Sequence, residues 1–326
     1  MTAATADPYA LDHSNLIATL RFSQQAPLIL GQKQAAPDSD SIFSATHTRD
    51  DPAKYGTIEQ LFFSCLQTGD DESAHKCLDQ LTQRFGPSNE RIQGLRGLYE
   101  EAISGKPVDL EECLRKHNDA LSENPMNIPI LKRRISLLRS LARPAEAIGG
   151  LVELLKAVPT DAESWCELAD LYRSQGMTSQ AVFCLEEALL IVPNAWNVHA
   201  RLGELLYTSA CSSEGDSSCR VLEKSIRYFC RSVELCDDYL RGLYGLALAT
   251  SPFSESKHAS DLVQESTPAL GSGIISKDTF AKLNAFATEK LDNIVQHRSL
   301  NHQLWEVEQA ELIAAKALLD RIKNPA

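Results

Sequence analysis

The sequence predicts an all-α solenoid of stacked antiparallel helix pairs, and three observations predict it. Pro125, Pro159 and Pro193 stand 34 residues apart each time. The positions between them keep the same step, with Ala147 matching Ala181, Leu151 matching Leu185, and Leu154 matching Ala188. The composition leans helical: Ala, Leu, Glu and Gln are plentiful, and aromatic residues make up only 6%. A fixed 34-residue period is the length of a tetratricopeptide unit, two helices that cannot bury their apolar face alone and must stack on neighbours.

The clearest unit covers 162–195. Trp165, Leu168 and Tyr172 recur at spacings of three and four, which places them on one face of a first helix. Together with Leu185 on the second helix they are expected to form the core. Ala169 and Ala181 are small where the two helices should cross closely. Gly176 relieves the turn between them, and Pro193 ends the second helix because it has no N–H and disfavours helix in the residue before it. The preceding unit, 128–161, keeps Leu131, Leu138, Ala147, Leu151, Leu154 and Pro159. It departs at Arg134, where an apolar residue is usual, and at Ile135, where a small one is. The following unit, 196–236, begins at Trp196 with Leu202, Gly203 and Leu206 in register. Its second helix should resume near Val221, about ten residues late by the repeat length. The inserted SACSSEGDSSC reads as an extended loop.

Looser helix pairs are expected upstream over 57–67 with 72–85, and over 89–103 with 110–122, the second pair split by a turn through Pro107. Downstream, 241–250 resembles another first helix, and two final helices over roughly 276–295 and 300–322 are suited to capping the array. Leu304, Trp305, Glu308, Leu312, Ala315 and Leu319 form the last helix's stripe. The expected organisation is therefore an N-terminal extension over 1–52 with one short amphipathic stretch at 16–22. A repeat array follows over 53–250, then a Ser/Pro/Gly-rich loop over 251–274 and capping helices over 275–326.

Hydrophobic residues make up 43% and charged residues 23%, ordinary for a folded domain. A net charge of −12 disfavours nucleic acid as a partner, since phosphate binding draws on a basic surplus. The nine cysteines are odd in number and contain no C-x-x-C, so they read as small core residues rather than a disulfide or zinc framework. No apolar run is long enough for a membrane span, and the N-terminus carries acids where a signal peptide needs bases. A cytosolic protein is expected. Nucleotide-binding glycine motifs, H-E-x-x-H and G-x-S-x-G are absent. No enzyme, cofactor or metal is expected, because the repeat pattern spends most positions on packing.

In such arrays the first helices line a concave groove with positions 2, 5, 9 and 12 of each repeat. Here those positions hold Pro129, Lys132, Ser136 and Arg139, then Glu163, Cys166, Asp170 and Arg173, then Asn197, Ala200, Glu204 and Tyr207. A clamp for a chaperone's C-terminal carboxylate would need Lys and Asn where Cys166 and Asp170 stand, and the acid would repel the ligand. An adaptor for peptide segments of other cytosolic partners remains a second reading. The candidate partner-binding residues are Lys132, Arg133, Arg139, Asp170, Arg173, Glu204 and Tyr207.

The cadence of Cys184-Leu185-Glu186-Glu187 followed by a Pro-Asn turn and then an L-Y-T helix end is more specific than a generic repeat, and four segments carry a family resemblance. They are CLDQLTQRFGPSNERIQGLRGLYEEA at 77–102, LKRRISLLRS at 131–140, DAESWCELADLYRSQGMTSQAVFCLEEALLIVPNAWNVHARLGELLYT at 161–208, and RYFCRSVELCDDYLRGLYGL at 227–246. Over about 55–250 the chain resembles the subunit 2 family of the endoplasmic reticulum membrane protein complex. The resemblance implies a non-catalytic cytosolic subunit of a multi-subunit insertase for tail-anchored and multi-spanning proteins. Such a subunit has no span of its own and is held peripherally at the membrane. It cradles cytosolic segments of the membrane subunits and binds a further cytosolic subunit on another face.

Overall fold

A computed structural model describes residues 16–31, 52–212, 216–251, 277–300 and 302–323. All regular structure among them is helical. The helices gather into two compact units, Met1–Gly150 and Leu151–Ala326. The division of the expected array falls inside one helix.

The first unit opens with α1 (Leu16–Ser23) and α2 (Ala26–Gly31). The amphipathic stretch expected at 16–22 is α1, whereas α2 lies beyond the one short stretch expected in the N-terminal extension. Six residues are too few to hold a helix by propensity. Burial supplies the stability instead: Ala26 enters a core built from α3 (Pro52–Thr68) and α4 (Asp71–Phe85), and Phe22, Ile29 and Leu30 pack against it. Phe62, Leu61 and Cys65 of α3 meet Ala74, Cys77 and Leu81 of α4 there. Asp70 caps α4 by accepting from the Ser73 N–H at 3.1 Å.

Next come α5 (Glu90–Ile103), α6 (Pro107–Glu123) and α7 (Ile128–Ser140). Asn89 and Asn127 cap α5 and α7, accepting from Ile92 N–H at 3.4 Å and Ile130 N–H at 3.2 Å. Pro107 is not a turn residue but the first residue of α6, where its missing N–H has no helical partner to lose. The large Ile135 at a small-residue position is matched by a glycine on α8 (Pro144–Ala157): a Cβ on Gly150 would meet Ile135 Cγ1 at 3.0 Å. Bulk has moved from one helix to the other. Arg134 in turn donates to Asn118 Oδ1 at 2.7 Å, so its polar end finds a neighbour outside the core.

Polar ties in this unit recur about one repeat apart. Arg91 Nη2 donates to Glu59 Oε1 at 2.7 Å and Arg143 Nη1 to Glu111 Oε2 at 3.2 Å, each pair 32 residues apart. Asn124 reaches Glu90 at 2.9 Å and Asn127 reaches Gln93 at 2.6 Å, each 34 apart.

The second unit takes the rest of α8 and continues with α9 (Ala162–Ser174) and α10 (Thr178–Ile191). Gly176 sits between them at φ +72°, a conformation that costs glycine little. Leu168, Ala169, Ala181, Leu185 and Ala188 are buried as expected. Trp165 and Tyr172 are only half-buried, a departure from the expected core. They line an apolar hollow of about 310 Å³ with Val152, Leu155, Phe183 and Cys184. Trp165 meets Phe183 edge-on at 6.1 Å, and Phe183 is itself 54% exposed.

The proline period also has a polar counterpart. Trp165 Nε1 donates to the Pro159 carbonyl at 2.8 Å, and His199 Nε2 pairs with the Pro193 carbonyl at 2.9 Å. Each ring stands six residues after its proline and ties the turn to the next helix.

The insertion is not an extended loop. α11 (Trp196–Ser212) runs into it and α12 (Asp216–Leu235) begins inside it, leaving only 213–215 outside the described residues. Ser218 Oγ donates to the Ala210 carbonyl at 2.6 Å, and Cys219 is buried, so packing supports the added helix. α13 (Leu240–Ala249) then crosses closely: a Cβ on Gly245 would stand 2.1 Å from Phe229 Cε1, and one on Gly203 3.0 Å from the same ring. Phe229 thus fills a seat floored by two glycines. α14 (Lys277–Leu300) and α15 (His302–Lys323) add Ala287, Leu291, Leu312, Ala315 and Leu319 to the same core. The expected loop over 251–274 falls, beyond its first residue, outside the described residues, as do most of 1–52 and the side chains of Leu304, Trp305 and Glu308.

Candidate docking site

The seven candidate residues divide between the units. Lys132, Arg133 and Arg139 lie on α7 in the first; Asp170 and Arg173 on α9, with Glu204 and Tyr207 on α11, lie in the second.

Arg133 is committed within the fold. Its Nε donates to Glu101 Oε1 at 3.2 Å and its Nη2 engages Glu101 Oε2, while His117 Nε2 pairs with Glu101 Oε1 at 2.9 Å. Glu101 is on α5, His117 on α6 and Arg133 on α7, so one carboxylate joins three helices. The Glu101 side chain is 9% exposed and that of His117 6%. Burial alone would raise the Glu101 carboxyl, but the hydrogen bonds from His117 and Arg133 outweigh it and hold the group below its ordinary range. This is a structural clasp rather than a docking cation. Lys132 is half-buried and Arg139 exposed.

In the second unit the candidates converge. A cleft of about 310 Å³ is lined by Asp170, Arg173, Arg201, Glu204 and Arg241. Two acid–arginine ties cross it. Arg201 Nη2 engages Asp170 Oδ1 and also reaches the Cys166 carbonyl at 3.4 Å. Arg241 grips Glu204 with two donors, its Nη2 at 2.6 Å from Oε2, and that carboxylate raises the guanidinium's affinity for its proton. Asp170 and Glu204 are therefore answered within the fold. Arg173 is exposed, and its guanidinium has no hydrogen bond or ion pair among the described residues.

Arg173 and Glu204 also border a second hollow of about 560 Å³, with Tyr207, Phe229, Tyr244 and Leu248 below. Tyr207 is half-buried, and burial with a hydrogen bond to Cys211 pushes its hydroxyl up to about 12. It stays neutral at ordinary pH and serves as a hydrogen-bonding rim rather than an acid. Polar walls, one unanswered cation and an aromatic floor suit a polypeptide segment carrying a carboxylate beside an apolar side chain. Among the described residues no group of three or more His, Cys, Asp or Glu side chains is placed to hold a metal ion. Nor is any helix among them long and apolar enough to cross a membrane.

Sequence reasoning missed Arg201 and Arg241. Their signal was spacing: Asp170 to Arg201 is 31 residues and Glu204 to Arg241 is 37, either side of one repeat.

Comparison with known proteins places the repeats. Residues 82–217 match the family model described as the EMC2 TPR-like repeat domain. The TPR repeat protein oca3 of Schizosaccharomyces pombe is 35% identical over 193 residues, which are 59% of this chain and 65% of that protein. ER membrane protein complex subunit 2 of Xenopus tropicalis is 31% identical over 214 residues, 64% of this chain and 68% of that protein. The subunit of the same name from Saccharomyces cerevisiae is 25% identical over 218 residues, 65% of this chain and 74% of that protein.

Proposed function

From the premise that the chain belongs to the ER membrane protein complex subunit 2 family, we propose that it acts as a non-catalytic scaffold of such a complex. It attaches peripherally on the cytoplasmic side of the endoplasmic reticulum membrane through partner subunits. There it cradles cytosolic segments of the membrane subunits, a second cytosolic subunit docks on another face, and the assembly supports insertion of tail-anchored and multi-spanning proteins. The observation that carries this reading is the relatedness, over 214 residues, to a protein named as that subunit. The repeat fold agrees with it, since rigid helix pairs present long surfaces to extended or helical partner pieces.

Arg173 takes a carboxylate of the bound segment in this reading, and Tyr207 with the hollow beneath takes its apolar side chain. Arg201 and Arg241 hold Asp170 and Glu204 in place around it. Arg139 and Lys132 form a separate basic set on α7. Charge reversal at both Arg139 and Arg173 should release the membrane subunits while leaving the melting temperature within a few degrees of the unmodified chain. The measurement is affinity purification from membranes in mild detergent, and undiminished recovery of integral partners would overturn the groove assignment.

A further inference from the structure

The outer side of α12 carries a row of cations that the cradle reading does not use. Arg220, Lys224, Arg227 and Arg231 recur at spacings of four, three and four, and all four are exposed. At helical geometry they fall within an arc of about 60° and along about 17 Å of the axis. The opposite side is anchored. Leu222, Ile226, Phe229 and Val233 are buried, Ser225 Oγ donates to the Gly203 carbonyl at 2.7 Å, and Ser232 Oγ donates to the Trp196 carbonyl at 2.8 Å. The helix cannot roll, so the cations are held outward.

Acids on the same helix partly answer two of them, Glu223 pairing with Arg227 at 2.6 Å and Glu234 with Arg231 at 3.0 Å. Arg220 and Lys224 have no ion pair among the described residues. No large apolar side chain is exposed on this helix, and Tyr228 leans in against His199. The chain as a whole has 44 acids to 32 bases, so a one-sided row of four cations runs against its composition.

We propose that this face of α12 rests on an anionic phospholipid bilayer. A straight, level row of long cationic side chains with no apolar anchor matches a flat field of headgroup phosphates and carboxylates. A protein partner would be gripped through buried aromatic or aliphatic anchors, which this face lacks. A nucleic acid would call for stacking rings and a basic surplus. The proposal concerns direct contact with lipid and does not depend on the groove residues, so it stands or falls apart from the cradle reading.

The test is co-sedimentation of the purified full-length chain with vesicles of neutral phosphatidylcholine, or of phosphatidylcholine with about one-third phosphatidylserine, at low salt and at about 0.5 M salt. Binding should be confined to the anionic vesicles and lost at high salt. Each cation removed should weaken it roughly five-fold, so R220Q with K224Q should lower it by about 25-fold. A control pair on α6, R115Q with K116Q, removes the same charge and should leave binding unchanged. Equal losses in both pairs, equal binding to neutral vesicles, or no binding at all would overturn the proposal. So would binding of polyuridylate or an acidic peptide through Arg220 and Lys224 without vesicle binding. The salt dependence of the unmodified chain checks the same point with no substitution.

Discussion

The two units use the same device, an acid and an arginine about one repeat apart, in opposite surroundings. In the first, Glu101 lies under Arg133 and His117 with its carboxylate almost out of water. In the second, Glu204 and Arg241 face a cleft, their side chains 30% and 47% exposed. Similar spacing, 32 and 37 residues, thus gives unequal consequences. A buried carboxylate must be matched or it destabilises the fold, whereas an exposed tie contributes little stability and can shape a surface where a neighbouring cation such as Arg173 is left open. The second unit takes its stability from apolar seating instead, above all Phe229 against Gly203 and Gly245.

That contrast can be broken deliberately. Phe229→Ala empties the glycine-floored seat and should cost the second unit about 3–5 kcal/mol. Limited proteolysis should then cut within 196–250 well before it touches 57–140, and simultaneous loss of both regions would show that the seat is not local to its unit. Glu101→Gln should cost the first unit about 2–3 kcal/mol, because the half-buried Arg133 guanidinium loses its counter-charge and an amide NH2 donor replaces one of the two acceptor oxygens.

The same clasp sets a pH response. A carboxyl lowered by the fold adds stability above its unfolded-chain value near about 4.3, and that stability disappears as pH falls through the lower folded value. Melting of the unmodified chain should therefore soften below about pH 4, and Glu101→Gln should flatten that dependence. An unchanged acid profile would remove Glu101 from the account. The smallest effect is expected in the cleft, where Arg241→Gln should change stability by at most about 1 kcal/mol. A larger loss would make the exposed tie as structural as the buried one.

Most helices were legible because packing between repeats demands similar residue sizes every 34 positions; α8 to α11 follow that demand closely, and the helices before and after follow it more loosely. What escaped had causes outside the period. α2 exists through burial of Ala26 rather than through its own sequence preference. The Ser- and Cys-rich insertion looked like loop by composition, yet Ser218 satisfies a carbonyl and Cys219 fills the core, so both flanking helices lengthen. Trp165 and Tyr172 carry apolar faces but stop at an open hollow instead of a closed core. The candidate docking residues were legible as charged positions on first helices. Whether each charge was already answered was not, because the partner lies a whole repeat away, as Arg133 with Glu101 and Arg201 with Asp170 show.

The repeat-spaced ties also bear on how the chain folds as it is made. Their partners lie 31 to 37 residues apart, so each can close once the next helix pair has left the ribosome. Such low sequence separation favours fast, stepwise folding that can begin at any repeat. The contact of Arg298 with the Asp238 carbonyl, 60 residues apart at 3.1 Å, departs from that rule. The end of the second unit therefore waits for a longer stretch of synthesis before that contact can close, and in that interval the surface of α13 that later receives α14 is open to solvent or to a chaperone.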